Sequence, residues 1–256
     1  MLVCPVRNCG LPLESEERRL VCERGHSFDV ARSKYINLLQ PQDRRSSNPG
    51  DTVPTVRARQ RLHDLGVTMA LLNAVAEILS PSLDDVVLDA GCGDGFYLGT
   101  LARKYGFSAH GVDISVAAIE AAAKRYPECQ WTVANADRFV PYAGRSFSIV
   151  MSITARMNAL EFRRVLGDDG RLLIALPAPD DLIELRGSGH DRTARTIGTF
   201  APGFTLLEQR RVTTSADLDA EGVHDVLLSI YRPMRSRPAQ AQRVTFSLDL
   251  LLFGAG

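Results

Sequence analysis

Several things are scarce in this chain, and each scarcity closes off a class of function. No apolar run in its 256 residues is long enough to span a bilayer, and the N-terminus lacks the apolar stretch of a secretion signal. The expectation is a cytoplasmic protein with no membrane partner. Net charge is also missing, since thirty basic side chains balance thirty acidic ones. That argues on its face against a nucleic-acid binder, yet the charge is unevenly spread. Residues 1–61 carry eleven Lys and Arg against seven Asp and Glu, so the remainder is acidic. Lysine is nearly absent, with Lys34, Lys104 and Lys124 its only instances. The arginine excess would suit phosphate and guanine contacts, but a GC-rich genome produces the same skew, so it decides nothing. Cysteine is sparse too, and five in a protein expected in the cytoplasm do not make a disulfide framework.

What is present begins with where those cysteines fall. Cys4 and Cys9 form one short pair; Cys22 and His26 form a second, a dozen residues on. Two such pairs bring three thiolates and an imidazole together between small loops, the donor set of a tetrahedral structural Zn2+ site. The intervening LPLESEERRLV reads as a short hairpin. A segment this small has little core of its own, so the metal is expected to supply most of its folding energy. Cys92 and Cys129 lie far from these ligands and read as buried small hydrophobes.

The stretch that organises the rest is 86–95, VVLDAGCGDG. An apolar strand ends at Asp89, and glycines follow at alternate positions, Gly91, Gly93 and Gly95. Glycines there supply left-handed turn conformations and let backbone N–H groups approach a ligand. The spacing G-x-G-x-G is not the dinucleotide pattern G-x-G-x-x-G, and no Lys follows to make a phosphate loop. An acidic residue at the strand tip would repel a pyrophosphate but accept hydrogen bonds from an ammonium or from ribose hydroxyls. Asp113 ends a second apolar run, in HGVDIS, and Asp137 follows a third, in VANAD. Helices at 97–105, 116–126 and 155–166 alternate with strands at 109–114, 130–134, 148–153 and 171–176, which specifies a parallel doubly wound sheet. Stretches 203–212 and 243–253 read as its closing antiparallel strands, with a helix at 220–231 between them.

Three acidic strand tips around one glycine turn resemble the class I S-adenosylmethionine-dependent methyltransferases. The resemblance implies an α/β Rossmann-like sheet that binds S-adenosylmethionine. It places Asp89, Gly91, Gly93, Asp94 and Gly95 around the methionine moiety, with Phe96 flanking it. Asp113 would hold the ribose, Ile114 would pack on the adenine, and Asp137 with Arg138 would meet the adenine edge.

Between the cysteine-rich start and this turn, GHSFDVARSKYINLLQPQDRRSSNPGD leads into the arginine-bearing VRARQRLHDL. Arg44, Arg45, Arg57, Arg59 and Arg61 read either as a solvated face or as a phosphate-tracking stripe. The loop RPMRSRP at 232–238 is a second basic candidate. The linker words, in this order with the zinc module and VVLDAGCGDGFY, are similar to the RlmA family of 23S rRNA (guanine-N1)-methyltransferases. That resemblance implies methylation of N1 of one guanine in a hairpin loop of 23S rRNA, a zinc module that helps bind the RNA, and a homodimer. It divides the chain into a zinc-binding module (1–39), a linker with N-terminal helices (40–80) and the methyltransferase domain (81–256). Two departures stand out: Arg156 where relatives show a small residue and proline, and Thr68 where they show an aromatic. Relatives also carry a His beyond the fifth strand, where this chain offers His190 or Arg192.

Guanine N1 carries a proton, so a carboxylate is expected to face it. Asp180, Asp181, Glu184, Asp191 and Asp225 follow strand ends, and sequence ranks none of them, so no catalytic base is assigned. Two other functions keep the same core: a methyltransferase acting on a small metabolite, and a non-catalytic zinc- and RNA-binding protein. A metabolite enzyme has no evident use for the first sixty residues.

Overall fold

A computed structural model describes residues 1–43, 49–230 and 238–256. The chain begins with three short strands, β1 (Glu14–Glu16), β2 (Arg19–Val21) and β3 (Ser27–Asp29), which form an antiparallel sheet. β1 and β2 are the hairpin expected between the two ligand pairs. The next strand, β4 (Ile36–Asn37), leaves this small sheet and pairs in parallel with a strand of the main one.

Two helices follow, α1 (Val53–Asp64) and α2 (Met69–Leu79). Thr52 caps α1 by accepting a hydrogen bond from Thr55 N, and Pro54 sits where a first-turn N–H needs no partner. Then come β5 (Val86–Ala90), α3 (Phe96–Tyr105), β6 (Ser108–Asp113), α4 (Val116–Arg125), β7 (Gln130–Val133) and β8 (Phe147–Ile153). The chain closes with α5 (Ala159–Val165), β9 (Leu166–Pro177), α6 (Ile183–Arg186), α7 (Thr193–Phe200), β10 (Phe204–Leu218), α8 (Ala220–Ser229) and β11 (Gln242–Ala255). The main sheet runs β10-β11-β9-β8-β5-β6-β7-β4, and β11 is antiparallel to both its neighbours. Strand order therefore reverses between β5 and β8, and the crevice at that switch point lies beyond Asp89.

Helix 155–166 of the sequence reading is shorter than expected. Thr154 takes a left-handed conformation, residues 154–157 turn, and Asn158 caps the helix by accepting from Glu161 N. Leu166 already pairs with Phe147 as the start of β9. The closing pair is longer than expected, because β10 and β11 run on past the main sheet to shelter α8. There Leu62 of α1 and Val223, Val226 and Leu227 of α8 share a core with Val244.

The zinc module also packs on the main domain. Leu2, Leu13 and Leu20 are buried in one cluster with Val140, Tyr142 and Phe147 of the main domain. Val3 N donates to Pro141 O at 3.0 Å, and Leu38 N to Val133 O at 2.9 Å. Among the described residues no single helix is long and apolar enough to cross a membrane.

Candidate functional site

β5 is apolar because it is buried on both faces between β6 and β8, and Asp89 near its end is only 2% exposed. The turn beyond it has positive φ at all three glycines, +86°, +55° and +76°. Two of them are also forced by contact. A Cβ on Gly91 would lie 2.3 Å from Ala155 Cβ, and one on Gly95 would lie 2.4 Å from the Trp131 ring. Gly93 N donates to Asp113 Oδ2 at 2.9 Å, and Ser115 N to Asp113 Oδ1 at 2.8 Å. Each oxygen of Asp113 is thereby fixed while keeping a lone pair for a further donor.

Asp89 lacks such partners on one oxygen. Its Oδ1 is buried with no hydrogen-bond partner, and burial together with the charge of Asp113 pushes its pKa well above the usual carboxylate range. Asp94 Oδ2 is a second buried oxygen without a partner. Burial opposes ionisation of Asp94, but His63 and Arg59 hold its pKa below the ordinary value. A cationic ligand with an ammonium and ribose hydroxyls supplies what these groups lack, so the residues present fit S-adenosylmethionine.

The linker closes this crevice. Gly50 has φ +84°, and a Cβ there would lie 2.7 Å from Ser115 Cβ. Ser115 Oγ donates to Asp51 O at 2.7 Å, and Asp51 pairs with Arg59 at 2.6 Å. Arg59 Nη2 also donates to Ser229 O at 3.0 Å, and a Cβ on Gly93 would lie 3.3 Å from Arg59 Nη1. His63, one turn along α1, is buried with its Nε2 3.6 Å from Asp94 Oδ1 and its Nδ1 2.8 Å from Thr68 Oγ1. Asp51 and His63 are missed by the sequence reading. The signal was available for the helix pair, since Arg59 and His63 are spaced i, i+4 and must share a face.

The other expected contacts distribute as follows. Phe96 is buried beneath His63, and Ile114 is half-buried against the core on the helix α3 and α4 side. Asp137 Oδ2 lies 3.3 Å from Arg156 Nη1, so the unexpected arginine meets a carboxylate of its own chain. Arg138 Nη1 donates to Gln42 O at 2.8 Å. Arg44, Arg45 and all of loop 232–238 except Pro238 lie outside the described residues. Arg57, Arg59 and Arg61 do not form one stripe. Arg59 turns inward to Asp51, and Arg61 makes a two-pronged contact with buried Asp225, its Nε 2.7 Å from Oδ2. Arg57 is exposed and lines a groove of about 410 Å³ between α1 and α4.

At the other end of the chain, the ligand atoms of Cys4, Cys9, Cys22 and His26 all lie within 4.8 Å of one another. Cys9 Sγ is 3.8 Å from Cys22 Sγ, and His26 Nδ1 is 3.4 Å from both Cys4 Sγ and Cys22 Sγ. A tetrahedron with Zn–S bonds of about 2.3 Å has edges of about 3.8 Å, so the set fits zinc with no position left open. Burial pushes the Cys4 thiol up to about 12, a cost that a bound cation offsets.

Comparison with known proteins agrees with both centres. Residues 2–47 match the zinc ribbon family described as RlmA, N-terminal, and residues 87–172 match a methyltransferase domain. The Streptomyces fradiae 23S rRNA (guanine(748)-N(1))-methyltransferase is 33% identical over 239 residues, which cover 88% of this chain and 81% of that protein. Bacillus subtilis (strain 168) YxjB, provisionally named as a 23S rRNA (guanine-N1)-methyltransferase, is 34% identical over 196 residues, covering 73% of this chain and 67% of that protein. Among solved structures, Escherichia coli YjhP has a TM-score of 0.52 at 16% identity, covering 80% of this chain and 99% of its own, which speaks for the fold alone. With its zinc ribbon, its methyltransferase sheet and relatives of this likeness, the chain belongs to the RlmA family of 23S rRNA (guanine-N1)-methyltransferases.

Proposed function

We propose that this protein transfers a methyl group from S-adenosylmethionine to N1 of a guanine in 23S rRNA. The observation that carries the reading is the union, in one chain, of an RlmA zinc ribbon with a methyltransferase domain, at 33% identity to a guanine-N1 enzyme. The finer reading, a hairpin loop as the RNA element and a dimeric enzyme, rests on the family resemblance.

The bound cofactor supplies an electrophilic methyl carbon whose sulfonium departs neutral. The chain's own task is to hold that carbon and its acceptor in line and keep water out. In this reading the backbone of residues 91–95 and the buried carboxylate of Asp89 receive the methionine moiety, Asp113 receives the ribose hydroxyls, and Ile114 packs on the adenine. Asp51, Arg59 and His63 cover the site. Asp137 and Arg138 border it on the adenine side. Zinc holds the ribbon in shape and takes no part in transfer, because all four of its positions are filled by protein.

The route of the linker ties RNA binding to the site. β4 ends level with Val133, so the chain leaves the ribbon at the carboxyl edge of the sheet and lands on Ser115. A ribbon gripping RNA is thereby continuous with the cover of the cofactor crevice. A metabolite enzyme has no use for that arrangement.

The test is transfer of a labelled methyl group to 23S rRNA from a strain lacking its own enzyme, followed by nuclease digestion and mass spectrometry. Label recovered as 1-methylguanosine at one position is the expected result. No incorporation by protein that binds zinc and cofactor would overturn the reading.

A further inference from the structure

Methylation at guanine N1 needs an acceptor for the proton that nitrogen carries, and a carboxylate matches the adjoining N1–H and N2 amine. Of the five carboxylates expected beyond strand ends, Asp225 lies inside α8, and the existing partners of all five separate them. Asp225 is 1% exposed and takes both prongs of Arg61. Asp191, just before α7, accepts through Oδ1 from Thr193 N at 2.8 Å and Thr193 Oγ1 at 2.7 Å. Glu184 accepts from Thr245 N at 2.9 Å and Thr245 Oγ1 at 2.6 Å. Asp181 accepts from Ser247 N at 3.0 Å and is paired with Arg186. Asp181, Glu184 and Asp225 have both carboxylate oxygens engaged by distant segments or a neighbouring arginine, and exposed Asp191 is tied to Thr193. Asp180 differs: its Oδ1 is buried with no hydrogen-bond partner.

An unpaired buried carboxylate oxygen costs stability unless something arrives to meet it. The position of Asp180 says what arrives. It stands three residues past the end of β9 at Pro177. β9 pairs with β8 at Ile153↔Ala175, and Thr154 N donates to Ala175 O at 2.9 Å. The next residue, Ala155, is the one that presses on Gly91 of the glycine turn. The loop carrying Asp180 thus borders the carboxyl edge of the sheet on the side of the switch point away from Asp113. Its backbone is held on both sides, by Ala178 N donating to Ser247 O at 3.0 Å and Gly189 N donating to Pro179 O at 2.6 Å.

We propose that Asp180 is the catalytic base, its Oδ1 taking the N1 proton of the target guanine. The assignment rests on the function proposed above. In the step, the N1 electron pair forms the bond to the methyl carbon, and the carbon–sulfur bond breaks with its electron pair left on sulfur. The N1 proton passes to Asp180 and from there to water. The charged groups around Asp180 are Asp181, Glu184 and Arg186 on its own loop and α6, Asp191 before α7, Arg211 on β10 and Asp249 on β11. Arg211 is bound to Asp249 at 2.8 Å and lies within electrostatic reach of Asp180 and Asp191.

The experiment compares full-length wild type, Asp180→Asn and Asp180→Glu on 23S rRNA from pH 6 to 10, with cofactor and RNA affinities measured alongside. For Asp180→Asn, both affinities should stay within about twofold while kcat falls by about 10²–10⁴. Its residual rate should rise by about tenfold per pH unit as solvent comes to remove the N1 proton, a slope the wild type lacks near neutrality. Asp180→Glu should recover part of kcat. Wild-type kcat in Asp180→Asn overturns the assignment, as does a lowered kcat with an unchanged pH profile, which marks a structural role. A wild type silent on rRNA overturns the function itself, and the assignment with it. That outcome is read from the wild type alone, so the two failures are distinct.

Discussion

His63 lies flat on Phe96, the ring centroids 3.9 Å apart and the planes within 4° of parallel. One ring comes from the linker helix and the other opens the helix after the glycine turn. Tyr97 meets His63 edge-on at 5.9 Å, and the imidazole edge reaches Asp94. The linker is thereby fastened to the turn by stacking as well as by charge. Thr68 serves as the hydrogen-bond partner of His63.

Replacing that imidazole separates the two contributions. His63→Ala should cost about 1–3 kcal/mol of stability, from a buried void and a carboxylate left without its neighbour. Cofactor affinity should fall by about tenfold, a loss of about 1.4 kcal/mol. His63→Phe restores the stack but not the contact to Asp94, so it should recover most stability and little affinity. Calorimetric titration with S-adenosylhomocysteine and thermal melts read both. Equal affinity in all three proteins would remove His63 from the site.

Asp89 should trade stability for binding. Burial and the charge of Asp113 raise its folded-state pKa, so its contribution is fully present below the unfolded value of about 3.9 and is lost as pH rises through the folded one. Asp89→Asn should therefore melt higher than wild type at pH 7 without cofactor. The gain should vanish below about pH 4, where both side chains are neutral. Cofactor affinity should fall by about 10–100-fold, as for a lost charged hydrogen bond. A variant that melts lower than wild type at pH 7 would show that the carboxylate is paired in the folded protein.

Zinc removal should spare the catalytic half. Because Leu2, Leu13 and Leu20 share a core with Tyr142, chelation should loosen the ribbon without unfolding the sheet. The expected result is about one zinc per chain in the native protein, consistent with one four-ligand set. After chelation, cofactor affinity should persist while rRNA methylation is lost. Global unfolding on chelation would mean that the sheet depends on the metal-held ribbon for its own stability.

Arg57 and Arg59 are two residues apart and should behave differently. Arg57→Ala should weaken RNA binding and reduce the slope of log K against log salt by about one, as for a lost phosphate contact. Arg59→Ala should leave that slope alone and instead lower cofactor affinity by about tenfold, since Arg59 holds Asp51 and Ser229 over the crevice. Identical salt slopes for both variants would show that the groove beside Arg57 does not track RNA.

The sequence by itself determined whatever depends on near neighbours. The glycines at 91, 93 and 95 are legible because a left-handed backbone and a crowded turn exclude other side chains. Asp113 is legible as a strand-end acid, and the four zinc ligands are legible because two loops separated by one hairpin can bring only those donors together. Alternating apolar runs were enough to specify the doubly wound sheet.

Tertiary structure alone decided which charged groups already have partners. Arg61 and Asp225 are 164 residues apart, and Arg59 and the Ser229 carbonyl 170. No periodicity links such positions, so an arginine on a surface stripe and one closing a crevice look alike in the chain. β4 was hidden for a similar reason, since two residues carry no pattern and only pairing with β7 makes them a strand. The five candidate carboxylates were equivalent as letters. Packing engaged Asp181, Glu184 and Asp225 through distant segments and left Asp180 Oδ1 buried without a partner, because hydrogen bonding depends on which distant segments meet and not on spacing along the chain.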